Sequence, residues 1–335
     1  MISSLPPSLS IHKGWLTILT KGSKACGLNI KEYLPTIISA DDRHNVQEIR
    51  HILQLLHTSQ SGDQICIESA KWADPLTFGS YSLTLWTSPD LKTLLQHACD
   101  YSAVLGAPVR LHYHENQVGD AELWLTNNEP RNKESHVTYL GVTLYLATLA
   151  IMIRKIVGEE PPMIHFKLVD FPYGESKRTL LEQSLNCTIS EGSAIRKLCI
   201  ERKFLRTPLH GYDQEINFNA LNILRKEAAD LERNDIILQV FNTLNQFKSL
   251  ENLSGEKVAS AMLMNIRTLN RRLAEVNTSY RGVLEKYKLE RALHLLEDSS
   301  VNMTEIAFQL GFSDLSTFSR AFKRWTGKSP TQSTL

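Results

Sequence analysis

Residues 302–330 read NMTEIAFQLGFSDLSTFSRAFKRWTGKSP, and the reading of this stretch decides the nature of the C-terminal third of the chain. Asn302 with Glu305 three places on has the spacing of a capping box, which satisfies orphan amides at the start of a helix. Ile306, Ala307, Phe308 and Leu310 continue that helix. Gly311 stands where a chain leaving a helix needs a positive φ, and Phe312 follows as the apolar anchor of the turn. Ser313 then reads as the N-cap of a second helix with the apolar stripe Leu315, Phe318, Phe322 and Trp325, ended by Gly327 and blocked by Pro330. Two helices joined by such a turn make a helix-turn-helix, whose second helix enters the DNA major groove. The face outside the stripe carries Ser316, Thr317, Ser319 and Arg320, then Lys323, Arg324 and Lys328. Arginine can grip guanine O6 and N7 in a bidentate way, and lysine suits phosphate. An ordinary helical hairpin with a solvated basic face is the alternative reading.

About fifty residues upstream the pattern recurs. Val258-Ala259 answers Ile306-Ala307, Met262 answers Leu310, and Leu269-Asn270-Arg271 answers Phe318-Ser319-Arg320. Between the copies, Ser279 to Asp298 predicts one helix, about 30 Å long at 1.5 Å per residue. Two recognition helices that far apart match successive major grooves on one side of a duplex with a repeat of about 34 Å.

Here the sequence resembles a known family. From about Ile236 to Pro330 it is similar to the DNA-binding domain of AraC/XylS-type transcription regulators, through Ala307, Gly311-Phe312, Phe318-x-Arg320-x-Phe322, Gly327 and Pro330. The resemblance implies base contacts from Asn265, Arg267, Asn270 and Arg271 in the first unit and from Leu315, Ser316, Thr317, Ser319 and Arg320 in the second. The first unit departs from the pattern, with Leu263 where a turn glycine is usual and Asn277 in place of a later glycine.

Composition bounds the rest. The chain has 335 residues and a formal net charge of +1, long enough for two domains with a core each. Residues 233–335 hold 14 Lys and Arg against 10 Asp and Glu, so the basic end is the helix-turn-helix end. Five scattered cysteines without C-x-x-C spacing suggest reduced thiols in a cytoplasmic protein with no zinc cluster, and the N-terminus reads as carrying no secretion signal. Val137–Ile153 is apolar enough to test against a membrane span, but its threonines, Gly141 and Tyr145 favour a buried core helix.

In the N-terminal two-thirds, Val46, Ile49, Ile52 and Leu55-Leu56 predict one amphipathic helix, and Leu91, Leu94-Leu95 and Ala98 another after Ser88-Pro89-Asp90. The period then changes: Val109–His114 and Ala121–Leu125 predict a hairpin, followed by a helix at Val137–Val157 and a strand at Ile164–Val169. A helix near Glu175–Leu185 and strands at Ile195–Cys199 and Phe204–Arg206 complete the domain. The expected fold is an α+β domain, helices packed on a mostly antiparallel sheet, followed by an all-α domain with two helix-turn-helix units joined by a long helix. The expected boundaries are 1–210 for the first domain, 211–232 for a linker helix and 233–335 for the DNA-binding domain.

This first domain resembles that of the OruR-like subgroup of the same regulators. The likeness lies in Phe78-Gly79, Thr87-Ser88-Pro89-Asp90-Leu91, Ala121-Glu122-Leu123-Trp124, Asn186-Cys187-Thr188-Ile189 with Glu191-Gly192, and Thr207-Pro208-Leu209. It implies a sensor of an amino acid, amine or similar small metabolite that supports dimerisation. His112 and His114 share a strand face and could ligate a metal, yet no third ligand accompanies them; Cys187, in a loop, could be a redox thiol, with a small buried hydrophobe the favoured reading. No G-x-S-x-G, G-x-G-x-x-G or Walker loop is present. The expectation is a cytoplasmic, homodimeric, non-enzymatic regulator without cofactor or metal. It binds promoter double-stranded DNA, responds to a small-molecule effector and activates through RNA polymerase. The alternatives are a DNA-targeted enzyme of the DNA-repair type and a ligand-independent regulator controlled by its abundance.

Overall fold

Amphipathic runs at the start of the chain and alternating runs after residue 108 appear as a helical layer and a sheet in the computed structural model. It describes residues 10–30, 43–58, 62–106, 109–127, 136–169, 171, 174–193, 195–247, 249–251, 253–276, 278–297 and 301–332. The chain divides into two compact units, Met1–Ala229 and Asp230–Leu335.

The first unit opens with β1 (Ser10–His12), α1 (Gly14–Ala25), β2 (Arg43–Asn45), α2 (Val46–Thr58) and α3 (Gly62–Ala70). It continues with α4 (Ser80–Trp86), α5 (Leu91–Asp100), α6 (Ser102–Leu105), β3 (Val109–Glu115), β4 (Ala121–Asn127) and α7 (His136–Val157). β5 (Ile164–Lys167), α8 (Glu175–Leu185), β6 (Cys187–Ser190), β7 (Arg196–Ile200) and the long α9 (Gln214–Asn234) follow. α1 and α3 cross closely at Gly22, where a Cβ would lie 2.4 Å from the Ser69 backbone nitrogen. Trp15 on α1 stacks on Phe78 and Tyr145, at 4.8 and 5.4 Å between ring centroids, and donates its indole N–H to Leu105 O at 3.0 Å. That bond lets a large apolar ring be buried without orphaning its polar atom.

The sheet has the order β3-β4-β7-β5-β6, antiparallel except for the β5–β6 pair. Because strand side chains alternate, the register puts Leu123, Leu198 and Phe166 on one face and Glu122, Trp124, Lys197 and Lys167 on the other. Glu122 is buried, and Lys197 Nζ at 2.6 Å and Trp124 Nε1 at 3.0 Å both donate to its Oε2. Burial alone raises its carboxyl pKa, but the hydrogen bond and charge of Lys197 outweigh that and hold it below the ordinary value. On the same face His112 Nε2 lies 3.2 Å from Thr126 Oγ1, and the His114 ring stacks on Trp124.

The architecture agrees with the α+β expectation, with four differences. Cys187 opens β6 and is not in a loop: Asn186 in the left-handed region (φ 48°) turns the chain out of α8 directly into a strand that buries Cys187 and Ile189 alternately. Phe204–Arg206 forms no strand, because Arg202–Phe204 is a short 3₁₀ turn and Leu205 O accepts from Lys92 N at the start of α5. The short β1–β2 pair carries no sequence pattern long enough to predict. Finally, the first unit runs past residue 210. Asn217 Nδ2 donates to Thr84 O and Thr87 Oγ1, and Ala220 and Leu224 are buried, so most of α9 belongs to that unit. α7 is long and apolar enough to cross a membrane, but 83% of its apolar window is buried inside the protein, as a core helix.

Candidate nucleic-acid interface

The second unit contains α10 (Ile236–Asn245), α11 (Gly255–Ala261), α12 (Ile266–Glu275), α13 (Tyr280–Glu297), α14 (Met303–Gln309) and α15 (Leu315–Thr326). α11–α12 and α14–α15 are two short-then-longer helix pairs, and α13 joins them. At about 1.5 Å per residue, its 18 residues span about 27 Å.

Both pairs turn through the same backbone bonds. Phe312 N donates to Ala307 O and Gly311 N to Phe308 O; Met264 N donates to Ala259 O and Leu263 N to Ser260 O. Gly311 and Leu263 are both in the left-handed region, at φ 71° and 56°. A side chain at 311 is excluded, since a Cβ there would lie 2.4 Å from Leu250 O, whereas Leu263 is 96% exposed and projects into solvent. The leucine therefore bears only the intrinsic left-handed cost, about 1–2 kcal/mol. Asn277 lies outside the described residues.

Each exposed helix begins with a side-chain cap. Asn265 Oδ1 accepts from Thr268 N at 2.8 Å, and Asp314 Oδ1 accepts from Thr317 N at 2.7 Å. The cap of α15 is thus Asp314, not Ser313, whose hydroxyl instead donates to Asp314 Oδ2 at 3.0 Å. Asp314 immediately precedes the first helical residue, Leu315, and brings the charge that favours a helix N-terminus. The bonds from the Thr317 amide, the Thr317 hydroxyl and Ser313 hold its carboxyl below its usual range. Asn302 caps α14 by accepting from Glu305 N, but Glu305 Oε1 receives Gln309 Nε2, so only half of the capping box forms.

The buried stripe of α15 is Phe318, Ala321, Phe322 and Thr326, with Trp325 half-buried beside it. Leu315 is no part of it: it sits on the first turn and is 38% exposed. The remaining face presents Ser316, Arg320, Lys323 and Arg324 to solvent, with Thr317, Ser319 and Lys328 half-buried. On α12 the stripe is Leu269 and Leu273, and Arg267, Asn270 and Arg271 are exposed. Among the described residues, no hydrogen bond or ion pair joins the α12 set to the α15 set. Thr317 accepts from Arg320 Nη2 at 3.4 Å; Arg324 Nη2 lies 3.1 Å from Glu285 Oε1, and Arg271 Nε 3.9 Å from Glu275 Oε1. Two cations that sequence reading passed over, Arg281 and Lys288, stand on α13 against α15. Only knowledge of which α13 face meets α15 could have found them.

Cys66, Cys99, Cys187 and Cys199 are buried and Cys26 is half-buried, and burial pushes all five thiols up, Cys187 and Cys199 to about 12.

Residues 258–334, which run from within α11 through α15, match the family model described as a helix-turn-helix domain. The HTH-type transcriptional regulator VqsM of Pseudomonas aeruginosa is 39% identical over 116 residues, 35% of this chain and 33% of that one. The ornithine utilization regulator of the same organism is 40% identical over 75 residues, 22% of each chain. The chain thus spans a third or less of the length of these curated relatives. The crystal structure of the transcriptional regulator CdpR from Pseudomonas aeruginosa has the same fold, with a TM-score of 0.50 and 15% identity, covering 96% of this chain and 98% of that one.

Proposed function

We propose that the chain is an AraC/XylS-type transcription regulator that binds promoter DNA sequence-specifically, a reading supported by the helix-turn-helix match and by the similar regulators. α12 and α15 act as the recognition helices of two helix-turn-helix units in successive major grooves. The observation that carries this reading is the pair of capped, outward-facing helices with matching turns at the two ends of α13. A spacer of about 27 Å before side chains are added suits adjacent grooves of one duplex face. Arg267, Asn270, Arg271, Ser316, Ser319 and Arg320 reach base edges, while Lys323, Arg324 and Lys328 position the backbone. Asn265, Leu315 and Thr317 sit at the first turns of the two helices. There Asn265 keeps its amide NH₂ free to donate, Thr317 holds Arg320, and Leu315 offers an apolar contact to a thymine methyl.

The first unit is read as the sensor and dimerisation part, for an amino acid, amine or similar metabolite, on its OruR-like motifs. Ile216, Phe218 and Ile223 leave apolar surface exposed on α9, which suits a second copy of the chain. Activation through RNA polymerase completes the reading. Footprinting of the purified protein on DNA flanking its own gene, across salt concentrations and with a metabolite panel, tests it. Protection of adjacent grooves on one face, altered by one metabolite, is the expected result. Even protection of all DNA that vanishes with salt would overturn specific recognition.

A further inference from the structure

α13 and α15 enclose a groove of about 490 Å³, within the range of small-molecule sites. Its floor is apolar, made by Leu284, Phe312 and Trp325, and its rim carries Arg281, Lys288, Arg320 and Arg324. One carboxylate, Glu285, serves two of these cations, lying 3.6 Å from Arg281 Nε and 3.1 Å from Arg324 Nη2. Lys288 and Arg320 have no carboxylate within ion-pair distance among the described residues. Lys288 is half-buried, its ammonium sits 4.5 Å from the Phe312 ring centroid, and burial lowers its pKa against the opposing charge of Glu285. Four cations against the one carboxylate, with Lys288 over an aromatic ring, leave an excess of positive charge facing an apolar floor.

We infer that this groove binds a small amphipathic organic anion, with its acidic head between Lys288 and Arg320 and its apolar body on Leu284, Phe312 and Trp325. An inorganic anion satisfies the rim and gains nothing from the floor, and an uncharged lipid does the reverse. A DNA backbone phosphate needs the cations alone. Arg320 also belongs to the recognition face, so an occupied groove draws it away from base edges. The DNA-binding unit thereby carries its own inhibitory ligand site, distinct from any sensor in the first unit. This coupling rests on the DNA-binding reading, while the binding itself does not.

The test titrates the full chain, ¹⁵N-labelled at tryptophan, with octanoate, 1-octanol and inorganic phosphate, in the absence of DNA. Trp325→Phe assigns the Trp325 indole resonance. The expected result is a saturable shift of that resonance with octanoate alone, weakened about tenfold or more by either Lys288→Met or Leu284→Trp. One variant removes the charge and the other fills the floor, so a folding failure in one leaves the other decisive. Equal shifts at all five tryptophans, or unchanged affinity in both variants, would overturn the site. Equal responses to phosphate and octanoate would reassign the rim as a phosphate seat, against the inference. In a second arm, octanoate raises the apparent Kd for DNA in the wild type and leaves it unchanged in Lys288→Met. A flat octanoate titration with intact DNA binding sinks the groove alone. A clean octanoate titration by a protein that binds no DNA sinks the DNA-binding reading alone.

Discussion

The two helix pairs of the second unit share every backbone bond of their turns, yet they meet the protein differently. In α14–α15 the turn packs against the Leu250 backbone, the stripe is aromatic, and Phe312 contacts both Phe318 and Trp325 at 5.6 and 6.0 Å between centroids. In α11–α12 the turn residue Leu263 is in open solvent and the stripe is two leucines. The same left-handed turn is thus compulsory glycine in one place and a tolerated strain in the other. What decides is whether a neighbour occupies the space a Cβ needs, and not the φ angle alone.

The harshest trial of that contrast is Gly311→Ala. Its Cβ meets a carbonyl oxygen that cannot rotate away, on top of the left-handed penalty. A loss of about 3 kcal/mol is expected, read as faster hydrogen exchange of peptides covering α14 and α15. Exchange unchanged from the wild type would mean that the turn does not seat on Leu250. The mirror substitution, Leu263→Gly, has the opposite sign. Relief of strain, offset by the larger unfolded-state entropy of glycine, leaves a gain of at most about 1 kcal/mol.

The pairs should also differ on DNA. Among the described residues Arg320 has no carboxylate within ion-pair distance, while Arg271 stands 3.9 Å from Glu275 on an exposed helix face. Arg320→Ala is expected to cost about 1–3 kcal/mol on the target site and to relax preference at one base pair. Arg271→Ala should cost less, because its guanidinium has a competing partner to leave. Lys328→Ala, in contrast, weakens all sequences alike and lowers the salt slope by about 1. Quantitative binding to target and random DNA over a salt series separates these. Equal loss on both DNAs for Arg320→Ala would place that residue on phosphate.

How much of this could be read from the sequence follows the range of the forces involved. Caps, turn glycine and helical stripes are local, so α14, α15 and the cap at Asn302 were legible from spacing alone. Spacing points to Ser313 as the cap because Ser313 and Asp314 are both good capping residues, and only the bond to Thr317 N chooses Asp314. Apolar spacing puts Leu315 in the buried stripe because it cannot see that the first turn of α15 stands clear of the core. In the first unit the hairpin β3–β4 was legible from its alternation. β6 was not, because four residues, CTIS, hold too short a pattern and the bonds that define them come from β5. The cations Arg281 and Lys288 became visible only through tertiary packing, which no periodicity in one helix encodes.

The smallest expected difference between the pairs concerns pH. Asn265 caps α12 with a neutral amide, whereas Asp314 caps α15 with a carboxylate whose pKa is depressed by the Thr317 amide. A carboxylate whose folded pKa lies below its unfolded value contributes stability above the unfolded value, about 3.9. That contribution fades as pH falls through the folded value, because the protonated acid is the weaker acceptor. Acidification should therefore loosen the start of α15 before that of α12. Asp314→Asn should remove the asymmetry, since both caps then are amides. Amide exchange at Thr317 and Thr268, compared from about pH 5 to pH 3 and corrected for intrinsic rates, reads the effect directly. If the wild type and Asp314→Asn keep the same ratio of the two protections throughout, the carboxylate is not the cap, and the entry of α15 is held by its aromatic packing alone.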